Sequence, residues 1–276
     1  MRCAWKELLS ILPGWIVDML DQNDQISLNE IRLRLEHPPE LVSGSIRRTI
    51  RGRVGQEDLN FCIHVASRYS PWAASTLSQG FLTASGGHRI GVCGKTVSKN
   101  GQVTGFQTVQ SLCIRVARDF PGIAEKAVSD ASVLIIGPPG WGKTTLLRDY
   151  IRQVSLMDKH VAVVDERGEL FPQGNYLEAE AVDIITGCTK EQGIEMTLRT
   201  MGPEVIAVDE ITAEADCTAL MKAGWCGVKI IATAHAGSRS DLLTRPVYRP
   251  LISSGIFENL IILQPDKSWR TERMIL

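Results

Sequence analysis

The sequence predicts an α/β protein in which a domain with a mostly parallel sheet follows a smaller α+β domain. After about residue 125, short apolar runs alternate with segments of helical pattern. These runs are VLIIG (133–137), VAVVD (161–165), VDII (182–185), VIAVD (205–209) and KIIATA (229–234). Continuous apolar strands separated by helices are typical of a parallel sheet covered on both faces. Because Pro121-Gly122 marks a linker, we expect domains of residues 1–122 and 123–276.

The composition excludes several classes of protein. The chain has 276 residues, 44% of them hydrophobic and 22% charged, with a formal net charge of −1, so it is neither disordered nor uniformly basic. Its seven cysteines have no CxxC spacing, which favours reduced thiols over a disulfide framework or a zinc site. No apolar stretch approaches the roughly 20 residues of a membrane-spanning helix. The N-terminal residues do not resemble a signal peptide.

The first domain mixes helical and strand patterns. Residues 5–20 have apolar positions at helical spacing, interrupted at Pro13-Gly14. Strand formers occupy three further segments, 30–36, 80–106 and 112–118. Gly86-Gly87 and Asn100-Gly101 favour tight turns, so residues 80–106 are predicted to form two consecutive hairpins.

The most specific motif is GPPGWGKT at 137–144, between a predicted strand and a predicted helix. It matches the Walker A pattern, in which glycines let backbone N–H groups surround phosphate oxygens at the N-terminus of a helix. Lys143 would contact the β- and γ-phosphates, and Thr144 would bind Mg²⁺. The predicted nucleotide-binding residues are Gly137, Pro138, Pro139, Gly140, Trp141, Gly142, Lys143, Thr144 and Thr145.

Two strands end in carboxylates. Strand 205–208 leads into Asp209 and Glu210, and strand 161–164 leads into Asp165 and Glu166. Since the ends of parallel strands face a common crevice, Asp209 is predicted to hold Mg²⁺ and Glu210 to activate water. Asp165 is a second candidate metal ligand and Glu166 a second candidate base, although either could instead cap a helix. The separation of Asp209 from Thr144, with two predicted strands between them, favours a RecA-like sheet over a Ras-like one.

Two further residues are candidate catalytic groups. His235 directly follows the strand KIIATA. From there it could reach the γ-phosphate or its water and signal whether ATP or ADP is bound. An arginine supplied by a neighbouring subunit would stabilise the transition state. The candidates are Arg115, Arg118, Arg199, Arg245 and Arg249, of which Arg199 is preferred and for each of which a salt bridge is the alternative.

Taken in order, GPPGWGKT, VVDERGEL, VIAVDEI and ATAHAG resemble the P-loop, Asp box, Walker B and His box of the type II and type IV secretion ATPases. With EIRLRLEHPPEL, GFLTASGGHRIGVCGK and LCIRVARDFPG, nearly the whole chain resembles the stage III sporulation AA family of endospore-forming bacteria. One departure concerns Asp209-Glu210, where secretion ATPases usually have Gly-Glu. This difference strengthens the prediction that Asp209 is a metal ligand. It weakens the prediction that Glu210 has the role of the catalytic glutamate of the secretion ATPases.

The resemblance implies a homo-oligomeric ATPase, expected to be a hexamer, that uses ATP and Mg²⁺. It implies a mother-cell protein, cytoplasmic and held at the membrane by proteins of a channel complex between mother cell and forespore. Two alternatives stay open. A single-strand nucleic-acid translocase would use the arginines of residues 47–53 and Trp72, although aromatic residues for stacking make up only 6% of the chain. A scaffold that binds nucleotide without turnover is the other.

Overall fold

The computed structural model describes residues 2–67, 73–171 and 181–274. The chain divides into two compact units, Met1–Asp119 and Phe120–Leu276. The first unit contains both antiparallel strands and short helices, and the second alternates strands and helices. Among the described residues, no helix combines the length and apolar character needed to cross a membrane.

The first unit is built around a six-stranded antiparallel sheet of order β4-β3-β2-β7-β6-β5. Its elements are β1 (Arg2–Cys3), α1 (Trp5–Ser10), α2 (Gly14–Val17), α3 (Gln22–Ser27), β2 (Glu30–Arg34), β3 (Glu40–Ser43), β4 (Ile46–Thr49), α4 (Gln56–Ser67), α5 (Ala73–Ser78), β5 (Phe81–Thr83), β6 (Arg89–Lys99), β7 (Gln102–Arg115) and β8 (Arg118–Asp119). The predicted helical segment 5–20 is indeed divided at Pro13, because proline has no N–H to donate within a helix.

Two consecutive hairpins form where the sequence predicted them, between β5 and β6 and between β6 and β7. Asn100 and Gly101 have φ values of 53° and 76°, as a two-residue hairpin turn requires. The strand formers at 112–118 do not begin a further strand of their own, because residues 112–115 are the end of β7, which continues without a break to Arg115. Register shifts along β6 and β7 let one long hairpin accommodate the glycine-rich stretch.

The second unit contains a seven-stranded sheet of order β11-β10-β12-β13-β9-β14-β15, parallel except for β15. Its elements are β9 (Val133–Ile136), α6 (Lys143–Ser155), β10 (Val161–Asp165), β11 (Val182–Thr186), α7 (Lys190–Thr200), β12 (Val205–Val208), α8 (Glu214–Trp225), β13 (Lys229–Ala234), α9 (Arg239–Thr244), α10 (Arg249–Ser253), β14 (Asn259–Leu263) and β15 (Trp269–Arg273). The predicted mostly parallel α/β sheet is confirmed, with β13 between β9 and β12 as in RecA-like sheets. Strands β14 and β15 were not predicted from the sequence.

The central strands are buried on both faces of this sheet. Leu134 and Ile136 of β9 pack into one hydrophobic cluster, whereas Val133 and Ile135 pack into the other. Each fully buried aliphatic side chain contributes about 1.5–3 kcal/mol relative to exposure, so the strands are held firmly and the loops at their ends start from fixed positions.

Candidate nucleotide-binding site

The candidate site lies at the carboxyl edge of the second unit's sheet. Strands β9, β10, β12 and β13 run parallel to one another, so the loops that follow them leave the sheet at the same edge. These loops carry the residues that the sequence singled out at 137–144, 165–167, 209–210 and 235. One site can therefore be built from segments far apart in the chain.

The loop between β9 and α6 has the backbone of an anion-binding turn. Gly140 and Gly142 have φ values of +79° and +100°, which favour glycine, and α6 begins directly afterwards at Lys143. A Cβ at Gly137 would lie 3.1 Å from Cβ of Leu263, closer than most Cβ contacts, so close packing favours glycine at this position. The N-terminus of α6 then offers unpaired N–H groups to an anion.

The other predicted nucleotide-binding residues lie along this loop. Pro139 and Gly140 are exposed, Trp141 is half-buried and packs against the core, and Thr144 and Thr145 lie half-buried in the first turn of α6. Their part in binding stays a prediction.

Lys143 is buried at the start of α6, and its ammonium group contacts three hydrogen-bond acceptors. Nζ donates to the carbonyl oxygens of Gly137 at 2.8 Å and Pro138 at 3.1 Å, and lies 2.9 Å from Nδ1 of His235. Burial lowers the pKa of Lys143, and the charges of Asp209 and Glu210 oppose that shift. The predicted phosphate-binding lysine thus faces both carboxylate-bearing residues after β12.

His235 joins Lys143 to Glu210. An ammonium group can only donate, so Nδ1 of His235 accepts from Lys143 and the ring proton is assigned to Nε2. Nε2 then donates to Oε1 of Glu210 at 3.0 Å. Arg167 approaches the other oxygen, with NH1 3.5 Å from Oε2. Four residues from four separate segments of the chain therefore form one continuous series of polar contacts.

A second set of contacts surrounds Asp209. Its Oδ2 accepts a hydrogen bond from Thr144 Oγ1 at 2.7 Å, and its Oδ1 accepts one from Thr233 Oγ1 at 2.5 Å. The same Thr233 hydroxyl accepts from the backbone N–H of Glu210 at 2.7 Å. Glu210 has a φ of 55°, a conformation unusual for a non-glycine residue, and this hydrogen bond helps to hold it.

Sequence reasoning missed Thr233. It lies in the ATAHAG segment, but only the histidine there was considered, since a threonine inside a buried strand looks like ordinary core. Thr233 is fully buried and its contacts depend on β12 and β13 being neighbours, so no local signal in the sequence identifies it.

The residues near Thr144 suit magnesium. A threonine hydroxyl and an aspartate carboxylate are the oxygen donors that this hard cation prefers, and they lie 2.7 Å apart. Within residues 2–67, 73–171 and 181–274, no group of three or more His, Cys, Asp or Glu residues could hold a metal ion. Few protein ligands are expected for Mg²⁺, which usually keeps its waters and binds substrate phosphates.

Asp165 and Glu166 make other contacts. Asp165 is buried, and its carboxylate accepts backbone N–H groups of Glu169 at 2.9 Å and Leu170 at 2.8 Å. Burial raises the pKa of Asp165. The charge of Asp209 adds to this rise, whereas the hydrogen bonds from the backbone act against it. Glu166 pairs with Lys190 at the start of α7. Asp165 thus organises the loop after β10, while its metal role and the catalytic role of Glu166 stay predictions.

Arg199 does not join this cluster within one chain. It lies in the last turn of α7, exposed, where it pairs with Glu195 one helical turn earlier. Helix α7 leads back towards the start of β12, so Arg199 is at the opposite edge of the sheet from Glu210. A contribution to catalysis could therefore come only from a neighbouring subunit.

Comparisons with known proteins find relatives over nearly the whole length of the chain. A profile of the family described as "Sporulation stage III, protein AA" matches residues 4–275. The stage III sporulation protein AA of Bacillus subtilis (strain 168) is 34% identical, over 95% of this chain and 91% of the relative. The E. coli (strain K12) protein transport protein HofB homolog is 29% identical over 48% of this chain and 28% of its own length.

Solved structures confirm the fold. The ATPase DotB of Legionella pneumophila has a TM-score of 0.60 at 17% identity, covering 95% of this chain and 80% of that one. The pilus retraction motor PilT with bound ADP has a TM-score of 0.62 at 14% identity, covering 89% and 78%. The fold is similar to those of DotB and PilT. By its sequence over nearly the whole length, the chain belongs to the sporulation stage III protein AA family.

Proposed function

We propose that this protein binds ATP with Mg²⁺ and hydrolyses it, acting as a motor ATPase of the sporulation machinery. The observation that carries the proposal is the contact of Lys143 with His235 and of His235 with Glu210, beside the contact of Thr144 with Asp209. A cation, a candidate base and two oxygen ligands for Mg²⁺ thereby surround the N-terminus of α6. This is the set of groups that phosphoryl transfer to water requires.

Binding of the nucleotide is assigned to the loop before α6. Its N–H groups would hold the β-phosphate, and the ammonium group of Lys143 would exchange the carbonyl oxygens of Gly137 and Pro138 for phosphate oxygens. Magnesium, held by Thr144 and Asp209, would neutralise charge on the phosphates.

Activation of water is assigned to Glu210. Its carboxylate orients a water molecule and accepts a proton as the water oxygen bonds to the γ-phosphorus. The bond from that phosphorus to the bridging oxygen breaks, and ADP leaves. His235, between Glu210 and Lys143, is placed to respond to the terminal phosphate, because a phosphate near Lys143 would compete for its ammonium group.

The family and one solved structure of similar fold support a wider role. The solved relatives include a protein named as a pilus retraction motor. We propose a homo-oligomeric ring, expected to be a hexamer, in which an arginine such as Arg199 acts on the neighbouring subunit's nucleotide. It would act in the cytoplasm of the mother cell, bound at the membrane by proteins of a channel complex.

The structure does not favour a nucleic-acid translocase. Three arginines of the 47–53 segment are paired with acids: Arg47 with Glu40, Arg48 with Asp24 and Arg53 with Glu36. Pairing cancels much of the positive potential that binding to a phosphate backbone would need.

One experiment tests the proposal. The mass of the purified protein is measured with and without ATP and Mg²⁺, beside an assay of phosphate release. We expect ATP to favour a ring of defined mass that releases phosphate. Nucleotide binding without release at any protein concentration would instead identify a non-hydrolysing scaffold. Absence of binding would refute the proposal.

A further inference from the structure

Arg167 is a charged residue beside the site to which the proposed function gives no role. It follows β10 by two residues, its side chain is 57% exposed, and its NH1 lies 3.5 Å from Oε2 of Glu210. Strands β10 and β12 are parallel neighbours, with Val164 opposite Val208. The loops that carry Arg167 and Glu210 therefore leave the sheet side by side.

The loop that carries Arg167 is fixed by buried charges. From one side, the carboxylate of Asp165 accepts the N–H groups of Glu169 and Leu170. From the other side, Arg148 of α6 donates to the carbonyl oxygens of the same two residues. Because α6 begins at the anion-binding loop, the backbone beneath Arg167 is anchored to the helix that would receive the phosphates. The long, exposed side chain of Arg167 therefore extends from a backbone that is held in place.

The positions of the charges indicate what Arg167 could bind. Lys143 and Arg167 lie at opposite ends of the chain of contacts that runs through His235 and Glu210. The contact with Glu210 is at the limit of hydrogen-bond distance, and the remaining guanidinium donors have no partner in the described part of the chain. A guanidinium group can bind two phosphate oxygens through two parallel hydrogen bonds. Such a contact is stronger than an exposed ion pair between two side chains.

We propose that Arg167 binds the terminal phosphate of ATP within its own chain and leaves Glu210 as it does so. The inference rests on the proposed function, which it extends by naming a second cation for the γ-phosphate besides Lys143. Release of the Glu210 carboxylate would free one of its oxygens for water. ADP lacks the terminal phosphate, so Arg167 would stay paired with Glu210 when ADP is bound.

The test compares two nucleotides on the full-length protein. Titration calorimetry measures Kd for the β,γ-imido analogue of ATP and for ADP, both with Mg²⁺, in wild type, Arg167→Gln and Arg167→Lys. The matched control is Arg270→Gln, which removes another exposed arginine, 61% exposed and 3.1 Å from Glu272. We expect Arg167→Gln to weaken binding of the imido analogue about tenfold or more and to leave ADP within about twofold. Arg167→Lys should restore part of the loss.

The other results overturn the inference in distinguishable ways. Equal weakening for both nucleotides would mean that Arg167 acts through the fold of the loop, and no weakening for either would mean that it does not touch the nucleotide. In both cases the proposed function would survive. Wild-type protein that binds neither nucleotide would instead overturn the proposed function and this inference with it.

Discussion

Replacing Thr233 with valine removes a hydroxyl that holds both carboxylate residues after β12. Valine keeps the shape of the side chain, so the fully buried position stays filled. The variant loses the hydrogen bond to Asp209 at 2.5 Å and the acceptor for the N–H of Glu210 at 2.7 Å. A hydrogen bond to a charged group contributes about 1.5–3 kcal/mol, and a buried N–H left without an acceptor costs about 1–3 kcal/mol.

Both partners of Thr233 are only half-buried, so water would replace part of what is lost. We therefore expect the free energy of unfolding to fall by about 2–3 kcal/mol, which lowers the melting temperature by roughly 4–12 °C. Glu210 would also lose the contact that holds its left-handed backbone. Since small displacements of a catalytic group can cost about 100-fold in rate, phosphate release should fall about 10- to 100-fold.

The assay combines differential scanning fluorimetry with phosphate release for Thr233→Val and Thr233→Ser. Serine keeps the hydroxyl and loses only a methyl group, which costs about 1 kcal/mol. We expect serine to retain most of the activity at a modestly lowered melting temperature. The reasoning is refuted if valine matches the wild type in both measurements, or if serine loses as much activity as valine.

Two other predictions concern stability. His88 is buried, accepts the N–H of Ala117 at Nδ1, and has a pKa lowered by burial. The unfolded chain therefore takes up a proton more readily, and stability should be lost as the pH falls below the ordinary value of about 6.5. His88→Gln should show a smaller drop in melting temperature between pH 7 and pH 5 than wild type; equal drops would contradict this. Gly193 lies in α7, where an added Cβ would meet Cγ1 of Val164 at 2.4 Å. Chemical denaturation should show Gly193→Ala destabilised by about 1–3 kcal/mol, whereas Gly14→Ala, with nothing within 4 Å, should not be destabilised; similar effects would argue against this packing.

The anion-binding loop could be predicted because its signals are local. A buried strand, three glycines and a helix follow one another between residues 133 and 155, and each part is visible in the sequence. Asp209, Glu210 and His235 could be found for a related reason. Each follows a continuous apolar run, and parallel strands bring their carboxyl ends to one edge.

The contacts of Thr233 and Arg167 could not be found in this way. Both depend on which strands are neighbours, and the order β10-β12-β13-β9 is not visible in any one segment. An exposed arginine after a strand is usually only solvated, and nothing local to Arg167 indicates that Glu210 is beside it. Sequence position alone likewise suggested a metal role for Asp165, whose oxygens accept hydrogen bonds from a loop a few residues later.

The missed strands have a similar explanation. β14 is buried beside β9, but the pairing joins residues more than 120 positions apart, as in Val133 with Asn259. β15 is polar and lies at the edge of the sheet, so it lacks the apolar run by which the other strands were recognised. In the first unit, an added Cβ at Gly94 would lie 2.1 Å from the carbonyl oxygen of Thr108, next to a register shift between β6 and β7 that depends on this pairing.

The central claim is that Lys143 and Glu210 belong to one site that binds and hydrolyses ATP. The most direct test measures nucleotide binding and phosphate release together in wild type, Lys143→Ala and Glu210→Gln. We predict that Lys143→Ala loses binding, because the phosphates lose their buried cation, and that Glu210→Gln keeps binding while release stops. Full phosphate release by either variant would contradict the claim.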